Sequence, residues 1–224
     1  MLEKVGQEDE EGAQPHASLS TFRNLEELEL EKQDAIWLCK KGSFEGREYI
    51  IRVSKYEISS YIFEDIENEL TLWSQLAVKS QSKLSYFTEN DIIHLVERYY
   101  STSLDQRTAA SNTEWELLTV ALQVAQGVES FHEAELVHGC LSPNHIFFEG
   151  GQVVINGHGL HSMKKYLSLI TGYTNKNIYT AVEQLRERNN VIIKPTKEAD
   201  VYSFGVILYE IVTGNRQYRQ LPLR

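Results

Sequence analysis

The chain has 224 residues, 42% hydrophobic and 24% charged, the balance of a soluble globular protein with a real core and one or two domains. A net charge of −10 excludes a general binder of nucleic acid or anionic membrane, because phosphate would be repelled. Two cysteines, Cys39 and Cys140, are too few for a disulfide framework and point to a reducing compartment.

The opening MLEKVGQEDEEG has neither a basic start nor an apolar run, so no signal peptide is expected, and residues 1–20 read as a disordered acidic leader. LEELEL, from Leu25, alternates as a half-buried strand does, although a helical turn fits nearly as well. IWLCKKG and REYIIRVSK follow as strands, joined by the hairpin-length SFEG. SSYIFEDIENELTLWSQLA places Ile66, Leu70, Trp73 and Leu76 at intervals of three and four, the period of an amphipathic helix. KLSYF and DIIHLVERYY read as two more strands with a turn at TEND.

The second half is different in character. EWELLTVALQVAQGVESFHE is a long helix with Leu117, Val120, Leu122, Val124 and Val128 at apolar positions. HIFF and QVVIN form a hairpin around Glu149-Gly150-Gly151. Residues 161–179 look polar and structureless. EADVYSFGVILYEIVTG reads as a buried helix with Gly214 as its C-cap. The longest apolar stretch, Val201–Val212, is interrupted by Ser203, Gly205 and Glu210 and is too short to span a bilayer. Cytosol or nucleus follows by elimination, and a cytoplasmic location is expected.

This order, a β-rich lobe with one helix and then a helical lobe, resembles the protein kinase fold. VHGCLSPNHIFF is similar to the catalytic loop H-R-D-L-x-x-x-N, INGHGL falls where D-F-G belongs, AVEQL where A-P-E belongs, and ADVYSFGVILYEIVTG resembles the αF helix. CKKGSFEGREYIIR resembles the strand pattern of tyrosine-kinase-like kinases, with Gly42 and Gly46 in place. The expected fold is α+β and bilobal: a kinase-like N-lobe over residues 21–103 with one αC helix, and a mainly helical C-lobe over 104–224 that stops after αF. The histidine-glycine start of the loop and the degraded D-F-G resemble the mixed-lineage kinase domain-like pseudokinase family. The helical bundle that precedes that family's kinase domain has no counterpart here, so its membrane activity is not carried over.

The resemblance also assigns roles. Arg52 takes the β3 lysine position. Glu69 is the best match to the αC glutamate, with Glu67 the runner-up. Asp200 takes the αF aspartate position that holds the catalytic-loop backbone. Ile50 and Phe147 replace smaller residues of the adenine pocket. With Arg52, Glu69 and Glu97 they make up a vestigial nucleotide pocket.

Phosphoryl transfer is positioning plus stabilisation of phosphate charge, and the groups that supply both are missing. Cys140 stands at the catalytic aspartate, and a thiol does not orient a hydroxyl as a carboxylate does. Ser142 replaces the loop lysine. His145 replaces the asparagine that binds the second magnesium, whereas magnesium wants hard oxygen ligands. Gly157 replaces the D-F-G aspartate, and no neighbouring carboxylate is expected to substitute. The glycine-rich loop positions fall on Lys32, Asp34 and Trp37, where Asp34 would repel phosphate and Trp37 would fill space. Arg52 remains able to pair with Glu69, but its fork does not place charge where an ammonium does.

The expectation is therefore a catalytically inactive kinase-like domain that acts as a scaffold or allosteric module for a protein partner. No cofactor, no metal site, no nucleic acid and no membrane are expected, and any ATP binding would be weak. The competing reading is a divergent active serine/threonine or tyrosine kinase that binds ATP; a third is a nucleotide-sensing switch that needs no metal. Two sharper alternatives concern the loop: a metal site from His138, Cys140 and His145 with His158, and Cys140 as a nucleophile activated by His145 or His158. The bland reading has His138 packed in a column with His158, Trp73 and a residue near Leu84 or Tyr86. Tyr166, Tyr173 and Tyr179 read as solvated loop tyrosines open to phosphorylation. Glu183 reads as fold-holding, normally paired with an arginine beyond this chain's end, and αF is expected to present an apolar face.

Overall fold

The computed structural model describes residues 18–28, 37–75, 83–106, 114–157, 160–171, 177–185 and 193–215. The expected leader lies outside them up to residue 17, and Leu19–Thr21 form a 3-10 turn. Lys32, Asp34, Leu76, His158 and Tyr173 also lie outside the described residues.

Five antiparallel strands come first: β1 (Arg23–Glu27), β2 (Trp37–Phe44), β3 (Arg47–Ser54), β4 (Ser85–Glu89) and β5 (Ile92–Arg98), in the order β1-β2-β3-β5-β4. Both predicted hairpins close through two residues with positive φ, Glu45-Gly46 and Asn90-Asp91, the backbone that matches strand twist. β1 is a strand as the alternation suggested, but it is not half-buried. All five of its residues are exposed, because it is an edge with only β2 beside it.

Side-chain alternation sorts the sheet into two faces. On the outer face Ile51 and its partner Val96 join Phe22 and Phe87 in a small cluster. On the inner face lie Trp37 and Cys39 from β2, Ile50 and Arg52 from β3, and Leu95 and Glu97 from β5, because Cys39 pairs with Arg52, Arg52 with Leu95 and Ile50 with Glu97. Helix α1 (Ser60–Gln75) belongs to this half, with Ile66, Leu70 and Trp73 buried at the predicted spacing.

Below this sheet, α2 (Glu114–Glu133) packs against α5 (Lys197–Thr213) and the hairpin β6 (Ile146–Glu149)–β7 (Gln152–Ile155). The buried hydrophobic residues described in α2 are Ala121, Val124, Val128 and Phe131, whereas Leu122 is exposed. Its apolar pattern is wider than one stripe, and only packing selects the inward arc. α5 starts at Thr196, whose side chain accepts from the Ala199 N–H, and ends at Gly214 in the left-handed conformation, as expected. It is half-buried rather than buried: Ala199, Asp200, Ser203, Ile207, Glu210 and Ile211 face inward, while Val201, Tyr202, Tyr209 and Val212 are exposed.

The stretch read as structureless contains a helix, α3 (His161–Thr171), followed by a short α4 (Val182–Leu185). α3 packs on α1. In HSMKKYLSLIT the apolar residues Met163, Tyr166, Leu167 and Ile170 stand at the i, i+3, i+4 and i+7 positions of one face of an amphipathic helix, a period interrupted in sequence by polar residues. Of the tyrosines in that stretch, Tyr179 is buried, not solvated, and its hydroxyl lies 3.1 and 3.0 Å from the two Glu210 carboxylate oxygens. The Tyr166 hydroxyl donates to the Glu57 carbonyl at 3.3 Å. Glu183 is exposed in the first turn of α4.

Candidate functional site

The site lies between the inner face of the sheet and the loop that precedes β6. Asp200 organises that loop from below. Its buried carboxylate accepts from the His138 and Gly139 N–H groups, each at 2.8 Å, and sits 3.0 Å from His132 Nε2. This is the role the resemblance implied. Two backbone donors and an imidazole stabilise a carboxylate held out of water.

His138 is fully buried and fixed by its partners. Its Nε2 lies 2.9 Å from the Asn156 carbonyl and must donate to it, while Nδ1 accepts from the Cys140 N–H at 3.4 Å. Both ring nitrogens are thus committed. Phe131 packs between Trp73 and His138, with ring centroids 5.4 and 6.1 Å away, and the His145 ring follows at 5.6 Å from His138. The aromatic column is therefore Trp73–Phe131–His138–His145. Phe131 and His145 were not expected in it; the place of Phe131 depends on which arc of α2 turns inward.

The Cys140 thiol donates to the Gly157 carbonyl at 3.0 Å and has His138 Nδ1 at 3.8 Å. That nitrogen's lone pair already serves a backbone N–H, so His138 offers the sulfur no base, and among the described residues nothing favours a nucleophilic Cys140. His145 Nδ1 donates to the Cys140 carbonyl at 2.8 Å and lies 3.2 Å from Ser142 Oγ. Among the described residues no group of three His, Cys, Asp or Glu side chains is arranged to hold a metal ion, and the hydrogen bonds of His138 and His145 show why these two do not converge.

Gly157 has φ +75°, and a Cβ built on it would lie 2.3 Å from His145 Cδ2. The position of the D-F-G aspartate is thus held in a backbone that disfavours any side chain and is closed by the histidine that replaced the catalytic-loop asparagine. The two substitutions fit each other.

Arg52 does not pair with Glu69. Its guanidinium Nη2 forms an ion pair with the Glu97 carboxylate, and the Trp37 ring lies 5.8 Å from it. Burial works against the Arg52 charge, but Glu97 with Cys39 and Cys140 more than offsets it and holds the guanidinium above its ordinary range. Glu97 is buried, and its other oxygen accepts from the Gly157 N–H at 3.3 Å. A carboxylate therefore does lie beside Gly157, contrary to expectation, but it is committed to Arg52. It was not foreseen because it comes from β5, sixty residues earlier in sequence.

Glu69 instead accepts from the His161 and Ser162 N–H groups at 2.6 and 2.8 Å. It caps α3 from outside the helix, where a carboxylate meets unpaired N–H groups and the positive dipole end. Ile50 and Phe147 are both half-buried, and Phe147 packs against Tyr100 with centroids 5.7 Å apart. The front of the cleft is thus lined by half-exposed apolar groups, while its back is filled by Arg52, Glu97 and Trp37.

Four histidines, His94, His138, His145 and His161, are held below their ordinary value of 6.5, in each case chiefly by burial. A lowered folded value means that the unfolded chain binds protons first as pH drops. Stability from these rings is present in full above pH 6.5 and is lost as pH falls through and below that value. The melting temperature is expected to be flat from about pH 7 to 8 and to fall steadily toward pH 5 in a differential scanning fluorimetry series, with His138→Gln flattening the acid limb.

An antiparallel sheet with one helix, a loop held by an aspartate from a buried helix, and a β hairpin beneath the cleft define a protein kinase domain. The chain belongs to the protein tyrosine and serine/threonine kinase family, whose model matches residues 36–224. It is 28% identical over 146 residues to the RAF proto-oncogene serine/threonine-protein kinase of Xenopus laevis, a match covering 62% of this chain and 22% of that protein. It is 29% identical over 150 residues to the calcium and calcium/calmodulin-dependent serine/threonine-protein kinase DMI-3 of Medicago truncatula, covering 60% and 28%. With human serine/threonine-protein kinase A-Raf it shares 32% over 114 residues, covering 49% and 18%. The chain thus spans less than a third of the length of these relatives.

The family's cofactor is ATP with magnesium, and the described residues of this cleft do not fit the metal. Magnesium requires convergent oxygen ligands. Gly157 supplies none, His145 supplies a soft nitrogen turned toward the backbone, and Glu97 is bound to a guanidinium.

Proposed function

We propose that this kinase domain does not transfer phosphate and works as a scaffold or allosteric module that binds another protein. One observation carries the reading: Gly157, at the metal-binding aspartate, is sealed by His145, so the lost ligand is replaced by packing and not by another carboxylate. The loss of Asp at Cys140 and the commitment of Arg52 to Glu97 add to it. Contacts that hold the fold remain, with Asp200 on the loop backbone and Glu69 on α3. Contacts that hold the fold thus stand beside positions that lack the catalytic side chains, as a binding function would require. The pseudokinase resemblance belongs to the same reading.

The partner is a protein; net charge −10 argues against nucleic acid, and no described helix is long and apolar enough to cross a membrane. We place the domain in the cytoplasm on its cysteine usage. The test is transfer of labelled γ-phosphate to generic substrates with magnesium or manganese. Transfer at background level, unchanged in Cys140→Ala and Arg52→Ala, is expected. Activity that falls with either substitution would establish the competing reading, an active divergent kinase.

A further inference from the structure

We propose that the groove between α2 and α5 is the seat of the chain's own residues 216–224, which turn back at Gly214 and lie along α5 as an intramolecular strap. The seat is outside the cleft, and it is independent of whether the cleft transfers phosphate.

The groove has a volume of about 410 Å³ and lies where α2 and α5 meet. Val128, Val201 and Phe204 give it an apolar lining, and Val201 is exposed. Its rim is acidic. Glu129 and Glu133 stand one turn apart at the C-terminal end of α2, and both are exposed. Like charges at that spacing repel each other, and the negative end of the helix dipole opposes them further. Among the described residues neither is ion-paired. An apolar lining beside two unneutralised carboxylates suits an occupant that is apolar and cationic at once.

Residues 216–224, which lie outside the described residues, have that chemistry. RQYRQLPLR carries Arg216, Arg219 and Arg224 with Tyr218, Leu221 and Leu223, and it has no acidic residue in a chain of net charge −10. The segment follows α5 almost at once, after Gly214 has ended the helix in the left-handed conformation that redirects the backbone. Phe204 lies nine residues before Thr213, which is about 14 Å back along the helix axis. Nine extended residues reach about 30 Å, so the segment can return that far with length to spare.

α5 also offers a track for the return. Val201, Gly205, Leu208 and Val212 share one face of the helix. Val201 and Val212 are exposed, and nothing lies within 4 Å of where a Cβ on Gly205 would stand. The track thus runs from the end of α5 to the groove. A tethered segment meets its seat at high effective concentration, so contacts too weak to hold a free peptide are enough to hold it.

The experiment is trypsin cleavage of the whole chain after Arg216, with mass spectrometry of the released piece that begins at Gln217. A seated segment is cut only while it is lifted, so the rate reads the lifted fraction. Cleavage about tenfold or more faster than in the natural chain is expected in two groove variants, Glu129→Gln with Glu133→Gln, and Val201→Asn. These positions are exposed and the changes add no trypsin site; either variant, shown to be folded by far-ultraviolet circular dichroism, is enough to decide. Arg219→Gln and Leu221→Ser, beyond the end of α5, carry the same expectation. Leu72→Asn, on the exposed side of α1, should change nothing.

Equal rates in every protein would show an unseated segment and a groove left to another protein, and would overturn the proposal. Acceleration by the segment variants without the groove variants would put the segment elsewhere and overturn it too. So would protection that fades on dilution, which would place the segment of a second copy in the groove. None of these rates depends on phosphate transfer, so the functional reading stands or falls separately.

Discussion

Restoring the missing aspartate is expected to damage this protein and not to revive it. Gly157→Asp puts a Cβ at a φ of +75° and drives it to within 2.3 Å of the His145 ring, so either the loop or the histidine must move. Left-handed strain and overpacking together predict a loss of about 2–4 kcal/mol, read as a lower urea midpoint with an unchanged slope. Gly157→Ala should cost nearly as much, because the Cβ itself is the obstacle. Adding His145→Asn to Gly157→Asp should recover part of the loss, since the smaller amide removes the ring carbon that clashes. The energies of the pair are therefore non-additive, as they are for residues in contact. Phosphate transfer should stay at background in the single and the double variant, because Arg52 remains paired with Glu97. A stable Gly157→Asp protein would mean that the backbone here is not held as described, and the argument for lost chemistry would lose its main support.

The second large effect is expected at Asp200. Its carboxylate is buried at 1% exposure and serves the His138 N–H, the Gly139 N–H and His132 Nε2. Asp200→Ala leaves three donors without an acceptor in a place water does not reach. Each unsatisfied buried group costs about 1–3 kcal/mol, so a total of about 3–5 kcal/mol is expected after partial relaxation. The signature is local as well as global. Hydrogen exchange at the amides of His138 and Gly139 should accelerate more than that of β5, because the loop is released before the sheet opens. Uniform acceleration across both lobes would show that Asp200 contributes only to global stability and does not position the loop.

These two positions divide what was legible from what was not. Asp200 was readable because the motif ADVYSFG is contiguous and its role is to bond backbone nearby in space. The assignment of Cys140, His145 and Gly157 to the catalytic-loop and D-F-G positions rests on the same kind of signal: each sits at a fixed offset inside a short motif. The partners of those residues were not. Arg52 was expected to meet Glu69, and it meets Glu97, because two carboxylates compete for one guanidinium and only the packing of α1 and β5 decides between them. Once Glu97 has the arginine, Glu69 is left to hold the N-terminus of α3.

The amino-acid order alone determined the strands, their tight turns and the long helices, since all of these follow from local periodicity, turn residues and short motifs. Tertiary structure alone decided which arc of α2 faces inward, which glutamate neutralises Arg52, and that His145 closes over Gly157. Those outcomes depend on distances between segments far apart in the chain, where burial makes one pairing strongly better than its rivals and no local pattern records the choice.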